Sequence, residues 1–368
     1  MPTLTFQEYL TARALADRKD VVEYSLMRLP DSWWREVILL VAGHLRTKGK
    51  QRVSKFIQAI IDSNSKTEFE PHHHLLVAAE CLFDIGPAGV DQDLLEPARK
   101  LLQKQADAPL KIGDRNAVMA KVMASNALAR IESGQVVTHF WKLPYGEPEW
   151  VTIPAGEFWM GSDADSSKIK PIHKVDLAEF RVARVPVTNA QYALFTKATE
   201  NKFPSNWLDG RMPKDSESHS VVLVDWYDAI KYCEWLSEKI GKHVTLPSEA
   251  QWEKAARGHR DKREYPWGDE YNASKCNSFE LGLGGTTPVG IFLNGASTYR
   301  VLDMSGSISE WTRSEYKNYP YNLDDGREEI NDRQVYRVIR GGSFNDVAAF
   351  VRCASLVTLA IPVAPVFL

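Results

Sequence analysis

The chain is short of cysteine, of surplus charge and of long apolar runs, and each shortage excludes something. Its four cysteines, at 81, 233, 276 and 353, are scattered over 368 residues. That spacing fits neither a disulfide framework nor a CxxC metal site. Lys and Arg number 45 against 48 Asp and Glu, so the broad basic footprint of a nucleic-acid binder is missing. No run of about 20 apolar residues and no signal-like segment is present, and the expectation is a cytoplasmic chain that does not enter a membrane. There is no P-loop, no G-x-S-x-G elbow and no EF-hand spacing. What remains is ordinary globular composition, 44% hydrophobic and 25% charged, with length for about two domains.

Residues 1–145 read as an all-helical domain, a bundle or short solenoid. "DSWWREVILLVAGHLRTKG" sets Trp33, Val37, Leu40, Val41 and Leu45 at helical spacing, with Asp31 as N-cap and Gly49 as stop. Amphipathic runs follow at 53–61, 74–83, 94–105 and 116–131. His72, His73 and His74 are consecutive, so on a helix they point apart and share no tetrahedral metal site. Lys142 to Glu149, with two prolines and a glycine, reads as a linker.

Residues 146–368 read as an α+β domain with short strands and much irregular structure. Two helices are expected at Asn189–Thr199 and Tyr227–Ile240. A further helix start is marked by Ser248, with Gln251 as its capping-box partner and Gly258 as stop. Trp226, Trp235, Trp252, Trp267 and Trp311 are expected core anchors. "GLGGTTP" at 282–288 reads as a turn. The cluster Asp324, Asp325, Glu328, Glu329 and Asp332 reads as solvated loop.

One set of motifs runs in a family order: "WVTIPAGEFWMGSD" (150–163), "ARVPVTNAQYALFTKAT" (183–199), "VDWYDAIKYCEWLSEKIGKHVTLPSEAQWEKAARG" (224–258), "YPWGDE" (265–270), "VLDMSGSISEWT" (301–312) and "RVIRGGSF" (337–344). Together they resemble the formylglycine-generating-enzyme-type sulfatase-modifying domain. The resemblance implies a C-type lectin-like fold with two helices and a small twisted sheet. The enzymes of that family carry two cysteines shortly after the glycine pair and use them to bind copper. Here those positions are Asp346 and Val351, and only Cys353 is near. One thiol cannot make the two-thiolate site that Cu(I) favours. The resemblance therefore implies a chain that is not an enzyme and that needs no catalytic cofactor. The iron-binding histidine pattern of the related sulfoxide synthases is also absent. A calcium site is implied at Asp303 and Glu310, with backbone oxygens of Gly306 and Ile308; hard oxygen donors suit Ca2+. Ser307 and Ser309 depart from the family pattern there. The alternative is that Asp303 and Glu310 pair only with backbone amides.

The tail carries the last signal. Between Val347 and Leu368 the single charge is Arg352, and between Asn345 and Leu368 there is no Lys, Glu, Gln, Met or Trp. Those five are the residues that adenine-directed mutagenesis of AAY codons cannot produce. The segment also starts directly after "RVIRGGSF". In both respects the chain resembles the variable proteins of diversity-generating retroelements, which display a rewritten C-terminal region, here 345–368, on a lectin-like scaffold. The resemblance implies ligand binding, with a protein partner, through Asp346, Val347, Ala349, Phe350, Leu356, Val357, Thr358, Leu359 and Ala360. Phe350, Leu356 and Leu359 would be the anchors, and Asp346 and Thr358 the polar edges. The other readings left open are a formylglycine-generating oxidase, a lectin-like signalling module without diversification, and a tail that is simply a buried strand. The helical half resembles the region preceding such domains in bacterial STAND/NACHT-type signalling proteins, which implies a signalling partner there.

Overall fold

In the computed structural model the described residues are 4–29, 32–63, 73–109, 115–133, 141–142, 144–163, 169–214, 216–331 and 335–360. The chain divides into two compact units, Met1–Thr138 and His139–Leu368. Asp31, His72 and the expected strand residues beyond 360 lie outside the described residues.

The first unit holds helices α1 (Leu4–Ala16), α2 (Val21–Arg28), α3 (Ser32–Thr47), α4 (Lys50–Asp62), α5 (His73–Ile85), α6 (Gln92–Asp107) and α7 (Arg115–Ser133). The 3.6-residue periodicity decides their packing. Val37, Ile38 and Val41 of α3 meet Phe56, Ile57 and Ile60 of α4 and Val77, Ala78 and Cys81 of α5 in one core. Gly49 separates α3 from α4 at a φ of 126°, a conformation that side chains rarely adopt. Glu80, buried in this core, is held by Arg35 from α3. No helix among the described residues is long and apolar enough to cross a membrane.

The second unit opens with a hairpin, β1 (Trp141–Lys142) against β2 (Glu147–Pro148). The expected linker is therefore folded. Gly146 turns the chain with positive φ, its carbonyl accepts from Gln191 Nε2 at 2.8 Å, and Glu147 pairs with Lys242 at 2.7 Å. Two further antiparallel pairs follow: β3 (Trp150–Ile153) with β6 (Phe180–Ala183), and β4 (Gly156–Met160) with β5 (His173–Leu177). A three-stranded sheet, β7 (Glu310–Glu315), β8 (Tyr336–Arg340) and β9 (Leu356–Ala360), closes the unit with β8 in the middle.

Three helices accompany these strands: α8 (Asn189–Thr199), α9 (Trp226–Ile240) and α10 (Glu249–Arg257). Local capping explains their bounds. Thr188 with Gln191, and Ser248 with Gln251, form reciprocal capping boxes, and the Asp225 side chain accepts from the amide of Asp228. Gly241 ends α9 in the left-handed conformation.

Two expectations need correction. Trp226, Trp235 and Trp252 are core residues, but Trp267 and Trp311 are half-buried: each packs against the edge of a core cluster and donates its indole N–H to a carbonyl, of Glu270 and Val224. The acidic loop at 324–329 is also more than solvated surface. Asp325 pairs with buried Arg327 at 2.6 Å, and Glu328 accepts from the hydroxyls of Ser314 and Tyr321.

Candidate functional site

Helix α10 reads on paper as a charged surface helix, yet Glu249, Glu253, Lys254 and Arg257 are all buried. Each charge is answered. Lys254 Nζ donates to the carbonyls of Pro154 and Gly156, at 2.8 and 2.7 Å, and so ties down the β3–β4 turn. Burial lowers its pKa. Glu253 accepts from the amide of Gly161 at 2.8 Å and pairs with Arg257 at 3.1 Å and with Arg340 of β8. Glu249 accepts from Tyr319 Oη at 2.9 Å and lies 3.5 Å from Arg340. Burial pushes the Glu249 carboxyl up, with Arg340 opposing it.

Arg340 carries this cluster to the C-terminal segment. Its Nη1 donates to the carbonyls of Ala354 at 2.6 Å and Ser355 at 2.9 Å. The chain between β8 and β9 is thereby fixed from within. Gly342 is needed at its start: φ is 68°, and a Cβ there would lie 2.8 Å from the carbonyl oxygen of Phe350.

The turn Ala348–Phe350 is held from outside the segment as well. Glu280 Oε1 accepts from the amide of Ala348 at 2.7 Å, and Tyr265 Oη donates to its carbonyl at 3.2 Å. Tyr271 Oη and Ser278 Oγ donate to Glu280 Oε2 at 3.1 and 3.0 Å. Burial works to raise the Glu280 carboxyl, but these donors outweigh it and the group ends below its usual range.

The expected ligand-binding residues are distributed unevenly. Val347 and Phe350 project to solvent, with 40% and 58% of their surface exposed. Ala349 and Leu356 are half-buried. Asp346 commits Oδ2 to the amide and hydroxyl of Ser343, both at 2.8 Å, so it closes the turn. Val357, Thr358, Leu359 and Ala360 are placed by backbone pairing in β9, from Val357 opposite Ile339 to Ala360 opposite Tyr336; their side chains lie outside the description. Cys353 is fully buried, and burial pushes its thiol up to about 12.

The expected cation ligands form a second feature. Asp303 Oδ2 accepts from the amide of Gly290 at 2.6 Å, while Asp303 Oδ1 and Glu310 Oε1 are buried with no hydrogen-bond partner among the described residues. Burial pushes Asp303 up to about 6. It pushes Glu310 up to about 8, where Trp252 opposes the rise and Asp303 adds to it. The Ile308 carbonyl and Glu310 Oε1 converge over Gly341, 3.4 and 3.9 Å from where a Cβ would sit. Among the described residues no three His, Cys, Asp or Glu side chains gather as a metal group. A cation here would need backbone oxygens beside the two carboxylates.

The sequence pattern described as the "Sulfatase-modifying factor enzyme 1-like domain" matches residues 140–358. The chain belongs to this family. Among sulfatase-modifying factor relatives, the formylglycine-generating enzyme of Mycobacterium tuberculosis is 31% identical over 240 residues, which is 48% of this chain and 77% of the enzyme. The serine/threonine-protein kinase Pkn1 of Chlamydia trachomatis is 31% identical over 224 residues, 56% of this chain and 35% of the kinase. The chain thus spans about a third of the length of that kinase. The solved structure of PvdO from Pseudomonas aeruginosa superposes with a TM-score of 0.50 at 27% identity, covering 59% of this chain and 90% of PvdO. The sulfatase-modifying factor family therefore includes enzymes, and the fold of the second unit is that of this family.

Two outcomes check the positioning network. Arg340→Leu leaves two buried carboxylates without their common partner and is expected to cost about 3–5 kcal/mol in urea denaturation, while the double variant with Glu253→Leu recovers part of that loss. Glu280 has a folded pKa below its unfolded value, so its contribution is present above the unfolded pKa of about 4.3 and lost as pH falls through the lower folded value. Hydrogen exchange at the Ala348 amide is expected to lose protection over that acid range, and Glu280→Gln to lose it at neutral pH.

Proposed function

We propose that the second unit is a non-catalytic recognition module, the variable protein of a diversity-generating retroelement, which offers residues 346–360 to a protein ligand. The observation that carries this reading is the turn Ala348–Phe350. Glu280, Tyr265 and the close approach over Gly342 hold its backbone, and Val347 and Phe350 point outward from it. A fixed backbone with free side chains is what a display site requires, because residues can change without rebuilding the loop. An exposed apolar cluster suits an apolar face on a protein partner. The helical unit, with Met27 exposed at 71%, would serve a signalling partner.

The chemistry of the segment supports a module without catalysis. Asp346 and Val351 stand where the resembling enzymes carry cysteines, and Val351 is fully buried. Cys353 is enclosed with its thiol protonated, so no thiolate pair is available to copper. Two experiments test the reading. A CxPxR peptide incubated with the protein, copper and oxygen is expected to yield no formylglycine; product by mass spectrometry would reject it. Sequencing residues 346–360 from several isolates is expected to show changes concentrated there, and an invariant segment would remove the diversification claim.

In the same reading Ca2+ is held by Asp303 and Glu310 together with the backbone oxygens of Gly306 and Ile308. The unpartnered Asp303 Oδ1 and the Ile308 carbonyl beside Glu310 Oε1 support it. Bound calcium would neutralise two buried carboxylates and brace the loop under β8. Calcium is expected to raise the melting temperature in differential scanning fluorimetry, and Asp303→Asn with Glu310→Gln to abolish that increment.

A further inference from the structure

The second unit contains a cavity of about 620 Å³ that the display turn does not border. Its walls come chiefly from β6 and the following loop, the 221–224 segment, α9, the 242–247 loop, α10, the 301–309 loop and β7. The lining is mostly apolar: Val187, Val224, Leu246, Leu302, Met304 and Trp311 are among its residues. Protein interiors are close-packed, with few voids larger than a water molecule. A space of this size is therefore room for a ligand, and its apolar lining disfavours ordered water as the filling. Its volume lies within the range of about 300–1,000 Å³ typical of small-molecule pockets.

Polar atoms on the walls narrow the chemistry. The hydroxyl of Tyr232 belongs to a lining residue, is buried, and has no hydrogen-bond partner among the described residues. It is a donor. Leaving a buried donor unsatisfied is costly unless a ligand or water supplies an acceptor. The indole N–H of Trp252, also on the wall, is engaged by the Glu310 carboxyl. The cations of the lining are exposed or paired: Arg181, Lys242 and His243 are exposed, Lys242 pairs with Glu147 and Arg313 with Glu328. Glu310 adds a carboxyl, so the buried part of the wall offers an anionic ligand no free cation.

We propose that this cavity is a binding site for an uncharged, largely apolar small molecule bearing one acceptor oxygen, such as an aryl or alkyl ketone. The site is separate from the recognition turn and stands whether or not that turn is variable.

The test uses the full chain and two naphthalenes of nearly equal size. 1-Acetonaphthone carries a carbonyl oxygen and 1-ethylnaphthalene does not. Both are titrated as competitors of the neutral fluorophore N-phenyl-1-naphthylamine. Saturable one-to-one binding is expected, with the ketone tighter. Tyr232→Phe is expected to narrow the difference between the two competitors. Val187→Phe and Val224→Phe, which fill the space, are expected to weaken both at least about tenfold by steric exclusion, with melting temperatures at or above that of the parent. Leu208→Ser, at a residue 79% exposed and outside the cavity, is expected to bind like the parent. Non-saturating fluorescence, equal affinity for the two competitors, or binding unchanged in well-folded filling variants overturns the proposal.

Discussion

An arginine withdrawn from water must find partners for its charge, and the second unit is organised around that demand at Arg340. Its two terminal nitrogens meet Glu253 and Glu249 from α10, the hydroxyl of Tyr319 and the carbonyls of the 353–355 turn. Desolvation of such a group is offset only by close, well-placed partners. Satisfying Arg340 therefore places α10 against β8, seats the β4-side loop through Gly161 and pins the return of the chain into β9. The Ala348–Phe350 turn and the carboxylates beside Gly341 both lie along chain segments that this cluster holds.

The parts of the fold that depend on neighbours in sequence could be read from it. Capping boxes at Thr188 and Ser248, the glycine stops after α9 and α10, and the apolar stripes of α3 to α6 are local patterns, and they produce the expected elements. The motif order also pointed to the family. Other features could not be read in this way. The hairpin at 141–148 looks like a linker because Pro and Gly dominate it, yet contacts from Gln191 and Lys242, well separated in sequence, order it.

The charged cluster was hidden for the same reason. Glu253 and Arg340 are 87 residues apart, and nothing near either residue announces the other. Glu249, Glu253 and Arg257 repeat every four residues along one side of α10, which is also the spacing of ion pairs on an exposed helix. Glu280 is similar. A lone carboxylate after "CNSF" looks unremarkable, and only the fold shows that it reaches the Ala348 amide 68 residues away. The cavity walls, drawn from many segments far apart in sequence, carry no sequence signature at all.

Strand β9 is joined to the domain through main-chain hydrogen bonds with β8, in a register from Leu356 opposite Arg340 to Ala360 opposite Tyr336. Main-chain bonds are indifferent to which amino acid supplies them, apart from proline. The preceding turn is gripped in the same manner, by Arg340 on carbonyls and Glu280 on an amide. The attachment of this segment is thus written in backbone atoms while its chemical vocabulary is written in side chains. A substitution at an exposed position of the turn, Val347 or Phe350, therefore leaves these attachments in place.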